Sequence, residues 1–201
     1  MKIFECIRNI TIKTKKDLKN YIYLDRKANF ISNRSLKDLI NLYLFNDIAI
    51  FLLLLRKCEY YKNKSNIISK IIYFYYKIKF KKKSMKLGFT IPENVFGPGL
   101  SIPHYGTIVV NANAKVGANC RIHVCTNIGA SGGSSMAPII GDNVYIGPGA
   151  KIYGNVVIGN NNAIAANATV NKSFEEEGVL IGGVPSKIIG EINIKRIIKH
   201  I

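Results

Sequence analysis

Residues 138–170 read PIIGDNVYIGPGAKIYGNVVIGNNNAIAANATV, and an apolar side chain returns at every sixth position of this stretch. The same spacing extends upstream, with a single miss at position 134. The residues that keep it are Val110, Val116, Ile122, Ile128, Ile140, Ile146, Ile152, Ile158, Ile164 and Val170. A period of six is neither the helical period nor the alternation of a single strand. It predicts a parallel β-helix, in which three units form one three-sided coil around stacked aliphatic residues.

The neighbours of each recurring apolar residue support this prediction. A small residue usually follows the apolar residue, and a small or β-branched residue lies two positions before it. Upstream, Ile102 and Ile108 keep the spacing only approximately, and two extra residues precede Val110. This shift predicts that Ile122 stacks on Ile102. The Gly/Ser-rich stretch Gly129–Pro138 lacks apolar positions and is expected to loop out of the coil.

The charge divides the chain into two unequal parts. The 201 residues carry a formal net charge of +17, and residues 1–90 hold 21 Lys and Arg against 6 Asp and Glu. We therefore expect a basic N-terminal helical domain over residues 1–86, a β-helix over 87–175 that begins near Phe89, and a C-terminal extension over 176–201. The extension should contain one extended segment and a short amphipathic helix.

Two helices are expected in the basic domain. Apolar residues at helical spacing predict a helix over Leu36–Tyr61 with Ser35 as its cap, and a second over Asn66–Lys83. The segment Ile48–Leu55 is very apolar but too short to cross a membrane, which requires about 20 residues. It is therefore predicted to be a buried part of the first helix.

The lysines at 81–83 and 86 form a basic cluster that is either a solvated helix end or a contact for an anionic partner. A membrane surface or an acidic carbohydrate suits this charge, whereas nucleic acid is disfavoured because the aromatic residues fall at core spacing. The charged N-terminus does not resemble a signal peptide, and the four cysteines show no metal-ligand spacing. These features favour a cytoplasmic protein, in a reducing compartment, that is peripheral at most to the inner membrane face.

Two histidines are the best candidates for chemistry. The predicted stacking puts His104 and His123 on neighbouring coils, outside the inward-facing positions, whereas His200 lies in the tail. A three-histidine zinc site would lack its third ligand. Cys125 lies close to His123 but has no cationic neighbour in sequence that would activate a thiolate. A neutral imidazole that takes a proton from a hydroxyl as it attacks a thioester fits best, with backbone N–H groups of a glycine-rich edge to hold the oxyanion.

Positions from about 60 to 190 resemble the serine acetyltransferase branch of the hexapeptide acyltransferases, most of all the members that act in capsule and surface-polysaccharide synthesis. The resemblance rests on IPHYGTIVV (102–110), NCRIHVCTNIG (119–129), PIIGDNVYIGPGAKIYG (138–154) and GVPSK (183–187). It implies a left-handed β-helix, a homotrimer, acetyl-CoA as co-substrate without a metal, and His104 as the catalytic base. It also implies a pantetheine groove between subunits, with Lys187 facing the nucleotide phosphates. The groove residues would be Gly129, Ala130, Ser131, Tyr145, Gly147, Pro148 and Ala166.

Three positions depart from the family pattern. Phe89 replaces an aspartate that supports the catalytic histidine, Pro103 replaces an acid that grips the amino-acid substrate, and Ala137 replaces a histidine that helps to hold its carboxylate. Because a zwitterion binds poorly without counter-charges, these losses favour a sugar hydroxyl of a capsular or cell-surface polysaccharide as the acceptor. His123 would then support His104. The alternatives are a serine O-acetyltransferase of cysteine biosynthesis and a non-catalytic scaffold that binds anionic surfaces.

Overall fold

Three helices precede the β-helix in the computed structural model, which describes residues 11–31, 35, 38, 40 and 44–201. They are α1 (Lys15–Ala28), α2 (Asp47–Lys62) and α3 (Ile67–Leu87). Ser35 acts as a cap, as predicted, because its hydroxyl accepts a hydrogen bond from the Asp38 amide at 3.1 Å. The predicted helix over 36–61 is not continuous: residues 38, 40, 44 and 45 are helical, but Asn46 interrupts the helix and caps α2 through the Ala49 amide. Positions 36, 37, 39 and 41–43 of that prediction lie outside the described residues.

The rest of the chain is mostly short strands, which pair in parallel with strands of the coils above and below. The strands are β1 (Phe89–Thr90), β2 (Ile108–Val110), β3 (Lys115–Val116), β4 (Arg121–Ile122), β5 (Thr126–Gly129), β6 (Ile139–Ile140), β7 (Tyr145–Ile146), β8 (Lys151–Tyr153), β9 (Val157–Ile158), β10 (Ala163–Ile164), β11 (Thr169–Val170), β12 (Val179–Gly182) and β13 (Lys187–Glu191). One sheet has the order β1-β2-β5-β8-β11, a second β4-β7-β10-β12, and a third β3-β6-β9. An antiparallel strand, β13, closes the second sheet.

The strand registers confirm the repeat that the sequence predicts. Ile146 pairs with Ile164 one coil later. The bridge between Ser101 and Arg121 places Ile122 over Ile102, so the expected shift of two residues is confirmed. All ten residues of the six-residue series are buried, and so is Cys120, two positions before Ile122. Residues 131–136 are exposed and form no strand, in agreement with the predicted loop.

One row of coil corners is occupied by asparagines. Asn119, Asn143 and Asn161 have φ angles of 58°, 56° and 59°, a region that asparagine tolerates better than most residues. Their amides form a ladder: Asn119 donates to Asn143 and Asn143 donates to Asn161, both at 2.9 Å. The ladder satisfies the side-chain amides and ties successive coils together at their corners.

A buried ion cluster joins the helices to the first coil. The fully buried guanidinium of Arg56, on α2, pairs with Asp25 of α1 at 2.7 Å and with Glu59 at 2.9 Å. It also donates to the carbonyl oxygens of Phe96 and Gly97 at 2.8 and 2.7 Å. The core is continuous across this junction, because buried side chains of α2 and α3 pack with the interior of the β-helix. The apolar segment Ile48–Leu55 supplies several of these core residues, as predicted.

The C-terminal extension differs in detail from the sequence-based expectation. The predicted single extended segment is a hairpin of β12 and β13. The predicted short helix is one 3₁₀ turn over Ile194–Arg196. This turn packs with Ile198 against Ala163, and Tyr145 lies at the edge of the same cluster. The segment therefore covers the outer face of the second sheet.

Candidate active site

The structure brings His104 and His123 together, as the stacking of their coils predicts. His104 follows Pro103 at an exposed coil corner, and His123 follows β4 on the next coil. Their ring centroids are 5.9 Å apart, and the His123 ring meets the edge of the Tyr145 ring at 5.2 Å. The three side chains form a row, with the exposed imidazole of His104 at its solvent end.

The surroundings of His123 keep its imidazole neutral. Burial lowers the pKa of His123 to about 4, and the positive charge of Arg121 and the neighbouring His104 add to this effect. Its Nε2 atom is buried without a hydrogen-bond partner among the described residues. A buried ring nitrogen of this kind is normally paired, so it is available to a ligand hydroxyl or to a neighbouring imidazole.

A cleft of about 270 Å³ is lined by Pro103, which directly precedes His104. Its walls come from the end of α1, the start of α2 and the first two coils of the β-helix. The lining residues are Ala28, Asn29, Phe30, Ile31, Asn46, Ile48, Ser101, Ile102, Pro103 and Arg121. Asn29 joins the two sides, since its side chain donates to the Leu100 carbonyl at 2.8 Å and accepts from the Ile102 amide at 2.9 Å. We call this space the Arg121 cleft.

Arg121 is the cation of this cleft. It is half-buried, and within the described ranges no carboxylate forms an ion pair with it. Its charge lowers the pKa of both His123 and His200. A half-buried guanidinium without a protein counter-ion suits a ligand carboxylate, which it can bind through two parallel hydrogen bonds. Arg121 was not predicted as a site residue, although the repeat indicates that Arg121 precedes the inward-facing Ile122 and lies opposite Ser101 on the neighbouring coil.

The residues expected to line a pantetheine groove fall into two groups. Gly147, Pro148 and Ala166 stack at one corner near His123: a Cβ on Gly147 would lie 2.8 Å from the Ala166 amide nitrogen. Gly129 ends β5 in the first sheet, whereas Gly147 follows β7 of the second sheet, and Ala130 and Ser131 come directly after Gly129. One subunit does not bring these two groups together.

The other residues singled out from the sequence have varied surroundings. Tyr145 is half-buried between His123 and the C-terminal cluster, and Lys187 is exposed on β13. His200, which lies in the C-terminal tail, is buried, and its Nε2 atom has no partner in the described part of the chain. Lys27 and Arg121 are close enough to lower the pKa of His200, after the larger effect of burial. The C-terminal segment thus returns to the edge of the Arg121 cleft.

Other groups considered from the sequence lie elsewhere. Glu93, the acid nearest to His104 in sequence, is buried against the helices and binds Lys77 and Tyr73. Cys125 is exposed. No group of three His, Cys, Asp or Glu side chains that could hold a metal occurs in the ranges that the structure covers.

The comparisons with known proteins agree on one kind of relative. Residues 137–172 match the family described as "Bacterial transferase hexapeptide (six repeats)". The chain is 37% identical over 102 residues to a serine acetyltransferase of Mycobacterium tuberculosis, covering 50% of this chain and 44% of the relative. It is 33% identical over 100 residues to one of Synechococcus elongatus, covering 49% and 41%. The chain thus spans less than half the length of these two relatives.

A solved structure extends the likeness to nearly the whole chain. It is a serine acetyltransferase of Brucella abortus in complex with coenzyme A, with a TM-score of 0.69 and 25% identity over 96% of this chain and 74% of that one. With the hexapeptide match, this confirms the predicted left-handed β-helix behind N-terminal helices.

The prediction of a polysaccharide acceptor is wrong. The relatives reported above are serine acetyltransferases, and they do not support the expected likeness to capsule enzymes. The prediction rested on three replaced residues, of which Phe89 and Ala137 prove to be core residues and Pro103 lines the Arg121 cleft. The prediction counted only those three positions as possible counter-charges, whereas Arg121, on the next coil, adds a cation to the cleft that Pro103 lines.

Proposed function

We propose that this chain is an acetyl-CoA-dependent O-acetyltransferase whose acceptor is serine. One observation carries the proposal: an exposed imidazole, His104, directly follows Pro103 in the wall of a cleft whose cation, Arg121, forms no ion pair with the residues that the structure describes. A small molecule with both a hydroxyl and a carboxylate suits this pair. The names of the relatives support the same acceptor and argue against a non-catalytic scaffold.

His104 acts as the general base. Its imidazole takes the proton from the serine hydroxyl while the hydroxyl oxygen attacks the carbonyl carbon of the acetyl thioester. The new C–O bond forms, the C–S bond breaks, and the imidazolium returns the proton to the leaving sulfur. The products are O-acetylserine and the free thiol of coenzyme A. Proton transfer by a placed side chain contributes about 10²–10⁴-fold to such a reaction.

Arg121 holds the carboxylate of the acceptor. Arg121 and Pro103 both line the cleft, and Pro103 directly precedes the base, so a bound carboxylate would place a hydroxyl two carbons away near His104. A charge-assisted hydrogen bond is worth about 1.5–3 kcal/mol, or roughly 10–150-fold in affinity.

His123 assists as a neutral group. Because burial and Arg121 keep its pKa at about 4, it carries no charge at neutral pH and does not repel an imidazolium at His104. Its unpaired Nε2 atom can bond the acceptor hydroxyl or orient the His104 ring. In this proposal His123 positions the reacting groups and does not take the proton itself.

The pantetheine arm of acetyl-CoA would lie in a cleft between two subunits of a trimer. The separation of the Gly147 corner from Gly129–Ser131 supports this arrangement, because two subunits can place one group of each kind on either side of a groove. Lys187, exposed on β13, would face the nucleotide phosphates.

The acceptor is tested with a matched pair of substrates. Thiol release from acetyl-CoA is measured with serine and with ethanolamine, which keeps the hydroxyl and amine but lacks the carboxylate. We expect kcat/KM for serine to exceed that for ethanolamine by at least about tenfold, through KM. The variant Arg121→Gln should lose this preference and keep its activity with ethanolamine.

The control is Arg196→Gln, which removes an exposed arginine of the 3₁₀ turn and should leave both substrates unchanged. Failure of the wild-type protein to acetylate serine contradicts the proposed acceptor. A serine preference that survives Arg121→Gln contradicts the role of Arg121 alone.

A further inference from the structure

The outward face of α3 is apolar, although it looks into solvent. Ile67, Ile71, Phe74 and Ile78 are 69%, 65%, 67% and 57% exposed. They recur at intervals of three and four residues and therefore form one row along the helix. The sequence analysis assigned these residues to helical core spacing, but the face that packs inward carries Ser69, Phe80 and Leu87 instead. A large exposed apolar row of this kind indicates a contact surface.

The row is bordered by positive charge on both sides. Helix α3 contains seven lysines and no acidic residue. At 100° per residue, Lys70 and Lys81 fall on one side of the apolar row and Lys79 and Lys82 on the other. Lys70, Lys81 and Lys82 are exposed and form no ion pair with the residues that the structure describes. Lys77, Lys83 and Lys86 are engaged with Glu93 or Asp47.

We propose that this face of α3 docks the protein on an anionic lipid bilayer, with the helix lying in the plane of the surface. An apolar row flanked by lysines is the pattern of a helix that buries one face among acyl chains while its cations meet anionic headgroups. The helix lies on the bilayer and does not cross it, since none of the described helices is long and apolar enough to span a membrane.

The charges favour a bilayer over a second copy of the chain. Two α3 helices packed face to face would bring two lysine borders together without any acidic side chain of α3 between them, and the like charges would repel. An anionic surface neutralises the same lysines. The apolar row and the lysines then act in the same direction.

The test is co-sedimentation of the full chain with vesicles of phosphatidylcholine alone and of phosphatidylcholine with phosphatidylserine. We expect binding to the mixed vesicles that weakens as salt is added. Because each lysine near an anionic surface is worth about fivefold in partitioning, Lys81→Gln with Lys82→Gln should weaken binding about 30-fold at low salt. Phe74→Ser with Ile78→Ser should weaken it about a hundredfold.

Lys172→Gln with Lys195→Gln removes the same number of exposed lysines outside α3 and should leave binding unchanged. All the substituted side chains are exposed, so the circular dichroism of each variant should match that of the wild type. Equal affinity for the two kinds of vesicle, or no binding, would overturn the proposal. So would a change in sedimentation mass of the Phe74→Ser, Ile78→Ser variant without lipid, because the face would then be an interface between copies.

Discussion

The buried ion cluster gives the most demanding test of how the helices hold the Arg121 cleft. Arg56→Met removes a fully buried cation that pairs with Asp25 and Glu59 and bonds two backbone carbonyls. Breaking a buried pair by removing one partner costs about 3–5 kcal/mol, because the carboxylates stay buried without their counter-charge. The end of α1 also lines the cleft, so the variant should raise KM for the acceptor as well.

The pH dependence of this loss follows from Glu59. Burial raises the pKa of Glu59, and Arg56 opposes that rise. Without Arg56 the folded-state pKa rises further, so the folded variant binds a proton more readily than its unfolded chain. The loss of unfolding free energy in Arg56→Met should therefore be largest at pH values above the pKa of Glu59 in the folded variant. It should shrink as the pH falls from that pKa towards the pKa of Glu59 in the unfolded chain, near 4.5.

The assay is urea unfolding of the two proteins at neutral and acidic pH, followed by circular dichroism. Adding Glu59→Gln to Arg56→Met removes one of the two carboxylates left without a counter-charge and keeps an acceptor for the Asn94 amide, so it should recover about 1–3 kcal/mol. The exposed Arg196→Met serves as the control and should cost less than about 0.5 kcal/mol. A loss below about 1 kcal/mol for Arg56→Met, or a further loss on adding Glu59→Gln, would refute the reasoning.

Three further predictions concern the β-helix and its histidine. Ile146→Ala leaves a cavity in a fully buried rung and should cost about 2–5 kcal/mol in urea unfolding; a loss near zero would contradict the stacked core. Asn143→Ala should lower the free energy of unfolding by about 1–3 kcal/mol. Asn143→Gly should lower it less than Asn143→Ala, because glycine adopts the φ angle of 56° at this position without the steric penalty of alanine. Equal losses for the two variants would show that the corner conformation carries no such penalty. His123 has a lowered pKa in the folded chain, so its unfolded form binds the proton first as the pH falls below about 6.5. Wild-type stability should therefore fall between pH 6.5 and 4, and His123→Asn should remove that part of the fall; an unchanged pH profile would contradict a buried neutral ring.

The repeat could be predicted from the sequence because each coil repeats the same contacts. A six-residue period fixes which side chains point inward, and the shift between Ile102 and Val110 sufficed to place His104 beside His123. The helical segment was harder, since helical periodicity alone does not say which apolar face is buried. On α3 the exposed and buried faces were indistinguishable until the packing of α2 was known.

The acceptor site could be predicted only in part. The proposed catalytic base, His104, lies on the repeat, but the walls of the cleft come from α1, α2 and two coils that are distant in sequence. In the ion cluster that holds these walls together, Arg56 and Glu59 are three positions apart, but Asp25 lies 31 positions from Arg56, so no local pattern predicts that pair. Arg121 was overlooked because the sequence argument examined three replaced positions and not the neighbouring coil.

The central claim is acetyl transfer to the serine hydroxyl with His104 as the base. Mass spectrometry of a reaction of serine with acetyl-CoA measures it directly, through the formation of O-acetylserine in step with free coenzyme A. The account predicts both products with the wild-type protein and a rate about 10²–10⁴-fold lower with His104→Ala. Absence of O-acetylserine, or an undiminished rate in His104→Ala, would contradict it.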